Sequence, residues 1–297
     1  MGVEIEELSP KVIGKKLGQN LYNPTGNLLL RKGVIIKPYY YNHFKKEGYR
    51  SIYLLNNHSN DIEATSHFLS DRLQATAPFS LKNIFRLLNL DDPQKATAAK
   101  SKLFALARSL LLNVNYNIQK LPKILDLKRH EDYLYQHSIN VAVYAILIGH
   151  RLQYNETRLL NLVLAALLHD FGMLFVDNKI VNKSSQIEDA EFETIKAHTT
   201  KGFHHLFRKC SFDGLSALAT VQHHERFDGT GYPKELSGKD IHEYSRIISL
   251  TDFFDAWTSD RPHRRLHTID EAIEFIKNNE GKIFDPILAH TFVRLFE

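Results

Sequence analysis

Cysteine is almost absent from this chain: Cys210 stands alone among 297 residues. One thiol can build neither an internal disulfide framework nor a thiolate-rich zinc site, and its scarcity fits a reducing compartment. Any metal must therefore be held by histidine and carboxylate. An excess of one charge is also missing. Lys and Arg number 38 against 34 Asp and Glu, a formal net charge of +4. The basic residues are scattered and leave no electrostatic footprint for long nucleic acid. The longest apolar stretch, Leu159 to Leu168, is interrupted by Asn161 and closed by His169-Asp170, which makes it too short and too polar for a bilayer span. The first residues, Met1 to Glu7, are acidic and lack the basic start and apolar run of a secretory signal. Glu6 stands where a myristoylation motif wants Ser or Thr. Internal repeats and low-complexity segments are absent as well. The expectation is a cytoplasmic protein with no membrane partner.

What is present suits a sizeable core: 43% of the residues are hydrophobic, enough for one large domain and a small one. From Val12 to about Asn57, short apolar runs (Leu28-Leu29-Leu30, Val34-Ile35-Ile36, Ile52-Tyr53-Leu54-Leu55) alternate with the turn signals Asn23-Pro24-Thr25-Gly26 and Lys32-Gly33. Tyr39 to Lys46 reads as a short helix stopped by Gly48. This predicts a small α+β N-terminal domain over residues 1–60, with a regulatory, dimerising or packing role. A helical linker is expected over 61–98, containing two short helices. The region 99–297 shows apolar spacing near 3.6 in Leu103 to Leu112, Ile139 to Leu152 and Leu159 to Leu168. It should be nearly all α. Asn155-Glu156 caps the helix that runs to His169, Gly172 is placed to end it, and Glu188-Asp189-Ala190-Glu191 opens a further helix carrying His198.

The chemistry lies in His169-Asp170 and in the stretch from His223-His224-Glu225 through Asp228-Gly229-Thr230-Gly231-Tyr232-Pro233. Neighbouring side chains on a helix diverge by about 100°, a poor geometry for chelating one ion but a good one at a helix end facing two. Asp170 can then bridge two metals while His169 binds one of them. The pair His223-His224 serves from the opposite wall, and His137, His198 and Asp252 complete the set. Seven oxygen and imidazole ligands suit Fe, Mn or another first-row metal. Two ions roughly 3.5–4 Å apart can clamp a phosphodiester and activate a bridging water. For any one of the 16 histidines a surface or core position is the commoner use. The pair His204-His205, with no acidic neighbour or glycine loop, is assigned no role. Gly229 and Gly231 allow turns that a Cβ hinders. Tyr232 is placed either to stack on a base or to bond within its loop, and Glu225, Asp228 and Asp255 either to orient ligands or to lie solvated.

From Tyr133 to Phe296 the sequence resembles the HD-GYP family of bacterial phosphodiesterases acting on cyclic dinucleotides, chiefly cyclic di-GMP. The resemblance is carried by Tyr133-Leu134-Tyr135-Gln136-His137-Ser138, His169-Asp170-Phe171-Gly172, His198, His223-His224-Glu225, Asp228 to Pro233, Asp252 and Ser259-Asp260-Arg261-Pro262. It implies an all-helical HD-type bundle, with His137, His169, Asp170, His198, His223, His224 and Asp252 as metal ligands and His169 and Asp170 at the reaction centre. Members that hold a third metal have a glutamate where Tyr133 stands, so the resemblance implies two. It also implies substrate contacts from Arg261 and Arg264, guanidinium forks being suited to phosphate oxygens, while Tyr232 and Gly231 are expected beside them as part of the loop that walls the pocket. The family lysine in HD-x-G-Lys is replaced by Met173; Lys179 or Lys183, on the loop beyond, is placed to substitute for it. The expected reaction opens cyclic di-GMP to the linear dinucleotide and on to GMP. The alternatives are a receptor that has lost turnover with that lysine, and a hydrolase of cyclic GMP-AMP. A homodimer fits the N-terminal domain's expected role.

Overall fold

The computed structural model describes residues 2–23, 25–46, 49, 51–56, 68–118, 133–181, 183, 185–259 and 267–297. The chain forms two compact units, residues 1–82 with 112–136, and residues 83–111 with 137–297. The boundary expected near residue 60 lies outside the described residues.

In the first unit β1 (Gly2–Glu7), β2 (Leu21–Tyr22), β3 (Leu28–Leu30), α1 (Pro38–Lys46) and β4 (Ser51–Asn56) follow in order. β1 and β4 pair antiparallel from Gly2↔Asn56 to Glu7↔Ser51. β2 and β3 form a hairpin whose turn is held by the Asn23 side-chain oxygen, which accepts from the backbone N–H of Thr25 and Asn27. Val12, Leu17, Leu21, Leu30, Ile36, Phe44, Ile52 and Leu54 make its core. The expected small α+β domain is present. Its first strand was read for its acidity alone, although Val3-Glu4-Ile5-Glu6 alternates with period two. Val34-Ile35-Ile36 contributes only an isolated bridge, Ile35 to Lys16.

Two long helices follow, α2 (Asp71–Leu88) and α3 (Pro93–Asn117), where two short ones were expected; residue 98 falls inside α3. Asp92 accepts from the N–H groups of Gln94 and Lys95 at its start, and Pro93 needs no donor there.

Among the described residues the second unit is helical apart from its turns and an isolated bridge between Glu280 and Phe284. It contains α4 from His137 onward (the helix spans Tyr133–Arg151), α5 (Glu156–Leu168), α6 (Asn178–Val181), α7 (Asp189–His204), α8 (Gly214–Gln222), α9 (Glu243–Thr258), α10 (Ile269–Asn278) and α11 (Pro286–Val293). α5 is the central helix: Leu159 and every residue from Leu162 to Leu168 are buried, the pattern of a helix covered on all sides. It packs on α8 and α9, and α7 packs on α8. Asn155 caps α5 as expected, accepting from the Arg158 N–H. Counted on through the turn that follows His169-Asp170, the stretch Glu156–Phe175 reaches 20 residues and the hydropathy of a membrane span, yet 61% of its apolar window is buried within the protein. A helix lined by its own neighbours in this way is a core helix.

Candidate metal centre

The end of α5 places His169 and Asp170 side by side, with His169 fully buried. Gly172 was expected to stop this helix. Instead α5 ends at Leu168, a 3-10 turn runs over Phe171–Phe175, and Gly172 lies flat against α7: a Cβ there would sit 1.9 Å from the carbonyl oxygen of His198. That contact lets α7 bring His198 alongside Asp170. α8 is fixed against α5 by Thr220, whose hydroxyl donates to the Leu168 carbonyl, and its last residues present His223 and His224. Gln222 ties this end to α9, its side-chain oxygen accepting from the His242 N–H and the Ser245 hydroxyl.

Asp170 stands between two groups of histidines. Oδ1 faces His198 Nε2 at 3.4 Å and His223 Nε2 at 3.5 Å, and Oδ2 faces His169 Nε2 at 3.5 Å and His137 Nε2 at 4.0 Å. The donor atoms of Asp170, His198, His223 and His224 lie within 4.8 Å of one another, as do those of His137, His169 and Asp170. Asp252 joins the second group, its Oδ1 2.9 Å from His137 Nε2. All seven expected ligands therefore converge on one place.

The imidazole tautomers follow from the far side of each ring. Nδ1–H donates to a carbonyl of the ligand's own helix in three cases, His169 to Ala166, His198 to Ile195 and His223 to Ala219. In His137 it donates to Asp255 Oδ2 at 2.7 Å. Each Nε2 is thereby left as the inward nitrogen, the arrangement in which histidine binds metals. Two features of the protein call for a cation here. His169 Nε2 is buried with no hydrogen-bond partner, and His198 Nε2 and His223 Nε2 face each other at 3.3 Å. Lone pairs so placed need a proton or a metal between them. Borderline nitrogen and oxygen donors of this kind fit first-row divalent ions.

The charges agree. Burial opposes the charged form of His137, but hydrogen bonds to Asp252 and Asp255 outweigh it and raise its pKa to about 9. Burial lowers His169 to about 4, and burial with the neighbouring His223 charge lowers His224. Asp170 stays well below the ordinary carboxylate range: burial works against its charge, while His169, His198 and His223 more than offset that. Asp170 and Asp252 are ionised and His169 and His224 neutral, as ligands must be, whereas in His137 and His223 burial is outweighed by carboxylate partners that raise the pKa, so both must give up a proton to bind a metal.

Asp255 is buried and fixes the His137 ring, Asn140 donating to its other oxygen, Oδ1, at 2.8 Å. Asn140 was missed by the sequence reading. The signal available was spacing: His137 and Asn140 on α4, like Asp252 and Asp255 on α9, are three apart and share a face. Glu225 and Asp228 do not orient ligands. Glu225 is buried and holds the loop, its two oxygens accepting from the N–H of Lys234 and of Leu236, and Asp228 accepts from the Thr230 N–H and hydroxyl.

Gly231 passes so close to the preceding chain that a Cβ would lie 2.3 Å from the Arg226 nitrogen. Its neighbour Tyr232 lays its ring on His224, with centroids 4.8 Å apart and planes at 31°. Lys183 is engaged elsewhere, its ammonium 2.7 Å from Glu191 and 3.6 Å from Glu188. Lys179 is exposed. Arg261 and Arg264 lie outside the described residues. His205 donates to the Leu88 carbonyl, a packing role in keeping with leaving the pair His204-His205 unassigned.

Residues 121–288 match the HD domain family. A 3'3'-cGAMP-specific phosphodiesterase of Vibrio cholerae is 38% identical over 164 residues, which cover 55% of this chain and 35% of that protein. A cyclic di-GMP phosphodiesterase of Pseudomonas aeruginosa is 30% identical over 222 residues, 75% of this chain and 52% of that one. The chain thus spans between about a third and about half of these curated relatives. In fold it is similar to a solved Bdellovibrio bacteriovorus structure described as an HDG"Y"P protein, with a TM-score of 0.60, 17% identity and 99% of both chains covered.

Proposed function

This chain belongs to the HD domain family, with the motifs of its HD-GYP members, and from that premise we propose that it is a metal-dependent phosphodiesterase that opens a cyclic dinucleotide. The observation that carries the reading is the Asp170 carboxylate, whose two oxygens face two separate sets of histidines. In this reading His137, His169 and Asp252 would hold one ion and His198, His223 and His224 another, with the Asp170 carboxylate shared between the two groups. Fe or Mn suits that donor set. Bound there, a pair of ions supplies Lewis-acid polarisation of the phosphate and lowers the pKa of water.

The protein's own residues do the rest. The carbonyls of Ala166, Ile195 and Ala219, together with Asp255, fix each imidazole with Nε2 inward, so no reorientation is needed when substrate arrives. Glu225 and the close approach at Gly231 keep Tyr232 against His224, making one wall of the pocket. Arg261 and Arg264 are proposed as phosphate contacts. Cyclic di-GMP is the substrate of first choice, with the linear dinucleotide and then GMP as products. The relatives' names make 3'3'-cGAMP the second choice. Met173 favours a receptor as the alternative, because it supplies no cation to an anionic substrate.

The test is to load the protein with Fe or Mn, incubate it with cyclic di-GMP or 3'3'-cGAMP, and separate the products by chromatography, using wild type, Asp170→Ala and Met173→Lys. Linear dinucleotide from wild type and none from Asp170→Ala is expected. Tight metal-dependent binding of intact substrate with no product from wild type, and turnover only in Met173→Lys, would establish the receptor instead.

A further inference from the structure

On the reading above one of a cyclic dinucleotide's two phosphates lies at the metal ligands, and a cation beside the ligand set is placed to meet the other, together with the proposed contacts Arg261 and Arg264. Lys196 lies on α7 two residues before His198. Its ammonium sits 5.5 Å from the centroid of the Tyr232 ring and 5.1 Å from that of Phe192, and Tyr232 in turn lies on the His224 ring. Outward from the ligand imidazole comes the tyrosine ring, and beside it the ammonium and the exposed Phe192, whose ring also meets that of Tyr232 edge-on. The two rings lie on one flank of the ammonium, their own centroids 6.2 Å apart, and their quadrupoles steady the long side chain without neutralising it. Among the described residues its carboxylate partner is Glu193 at 2.5 Å, a neighbour on the same helix that is 69% exposed. Such surface pairs contribute little and exchange readily. Lys183 is held more firmly, its ammonium donating to both oxygens of Glu191, which is only 24% exposed.

We propose that Lys196 binds the non-reacting phosphate of the substrate, one aromatic ring out from the metal centre, and so selects for ligands with two phosphodiester groups. The inference rests on the cyclic dinucleotide reading above and deepens it. Because this phosphate does not change charge in the reaction, Lys196 contributes equally to ground state and transition state. Its loss belongs in KM and not in kcat.

The experiment compares wild type, Lys196→Met and Lys196→Arg as the full metal-loaded chain, on cyclic di-GMP and on bis(p-nitrophenyl) phosphate, which has a single phosphate. Methionine keeps the apolar stem against the rings and removes only the charge. The expected result is a rise in KM of about tenfold for cyclic di-GMP with kcat kept, unchanged kinetics on the one-phosphate ester, and recovery in the arginine variant. An unchanged KM for cyclic di-GMP, or an equal loss on both substrates, would overturn the proposal. The failure of the function itself is separable. If wild type turns over neither compound, calorimetric binding of cyclic di-GMP still decides: a tenfold weaker Kd in Lys196→Met supports the inference, and an equal Kd refutes it.

Discussion

Replacing Asp255 by Asn keeps the side chain's shape and removes its charge, at a position one contact away from the metals. Asp255 uses both oxygens, Oδ2 accepting from His137 Nδ1 at 2.7 Å and Oδ1 from Asn140 Nδ2 at 2.8 Å. An asparagine cannot satisfy both. With its carbonyl toward His137, its NH2 meets the NH2 of Asn140, donor against donor, in a buried site. Turned over, it donates to Nδ1, which moves the imidazole hydrogen onto Nε2 and blocks that atom as a ligand. The first arrangement leaves a buried donor unsatisfied, at about 1–3 kcal/mol. The second disables His137. Partners of metal-bound histidines generally contribute about 10- to 100-fold in metal affinity, and that range is expected here. The assay is calorimetric titration of Mn2+ into metal-free wild type and Asp255→Asn near neutral pH, with thermal unfolding of both in parallel. Weaker Mn2+ binding in a folded variant is predicted. Affinity and stability both equal to wild type would refute the argument that Asp255 sets the His137 tautomer.

Three further outcomes follow from the same geometry. Gly172→Ala drives a Cβ into the His198 carbonyl at 1.9 Å, so a loss of several kcal/mol, on the scale of overpacking or worse, should appear in denaturant unfolding; an unchanged midpoint would mean that α7 yields freely. Glu225→Gln leaves one of the Lys234 and Leu236 N–H groups facing an amide NH2, and about 1–3 kcal/mol should be lost together with faster hydrogen exchange at those two amides, while unaltered exchange would contradict its bracing role. For pH, His137 is raised to about 9 in the metal-free protein, above its ordinary value, so its imidazolium stabilises that state at low pH and the contribution is lost as pH rises through about 9. Metal needs the neutral ring, so affinity for Mn2+ should weaken by about tenfold per pH unit below about 9 from this group alone; an affinity flat with pH would show that His137 is not protonated in the metal-free pocket.

The parts of this molecule that were legible in the sequence are those governed by local chemistry. Asn155-Glu156 announced the start of α5, Glu188 to Glu191 the start of α7, and the adjacency of His169 and Asp170 at a helix end led directly to a carboxylate facing two ways. What stayed hidden depends on which elements meet. Asn140 and Asp255 are far apart in sequence and act only because α4 lies against α9. Gly172 looked like a helix stop because a sequence does not show that another backbone passes within contact distance of that glycine. Glu225 looked free to orient a ligand until the return of the loop brought two N–H groups to it, and Lys183 looked free until α7 presented Glu191. Lys196 was not considered at all: only the fold places its ammonium over Tyr232.

The central claim is that Asp170 joins two metal sites within one pocket. Its most direct test is to count ions per folded chain after reconstitution and removal of excess metal, by elemental analysis of wild type and Asp170→Ala with unfolding curves for each. The account predicts two ions in wild type and at most one, weakly held, in a folded Asp170→Ala. A single ion in fully loaded wild type, or two retained without the Asp170 carboxylate, would contradict it.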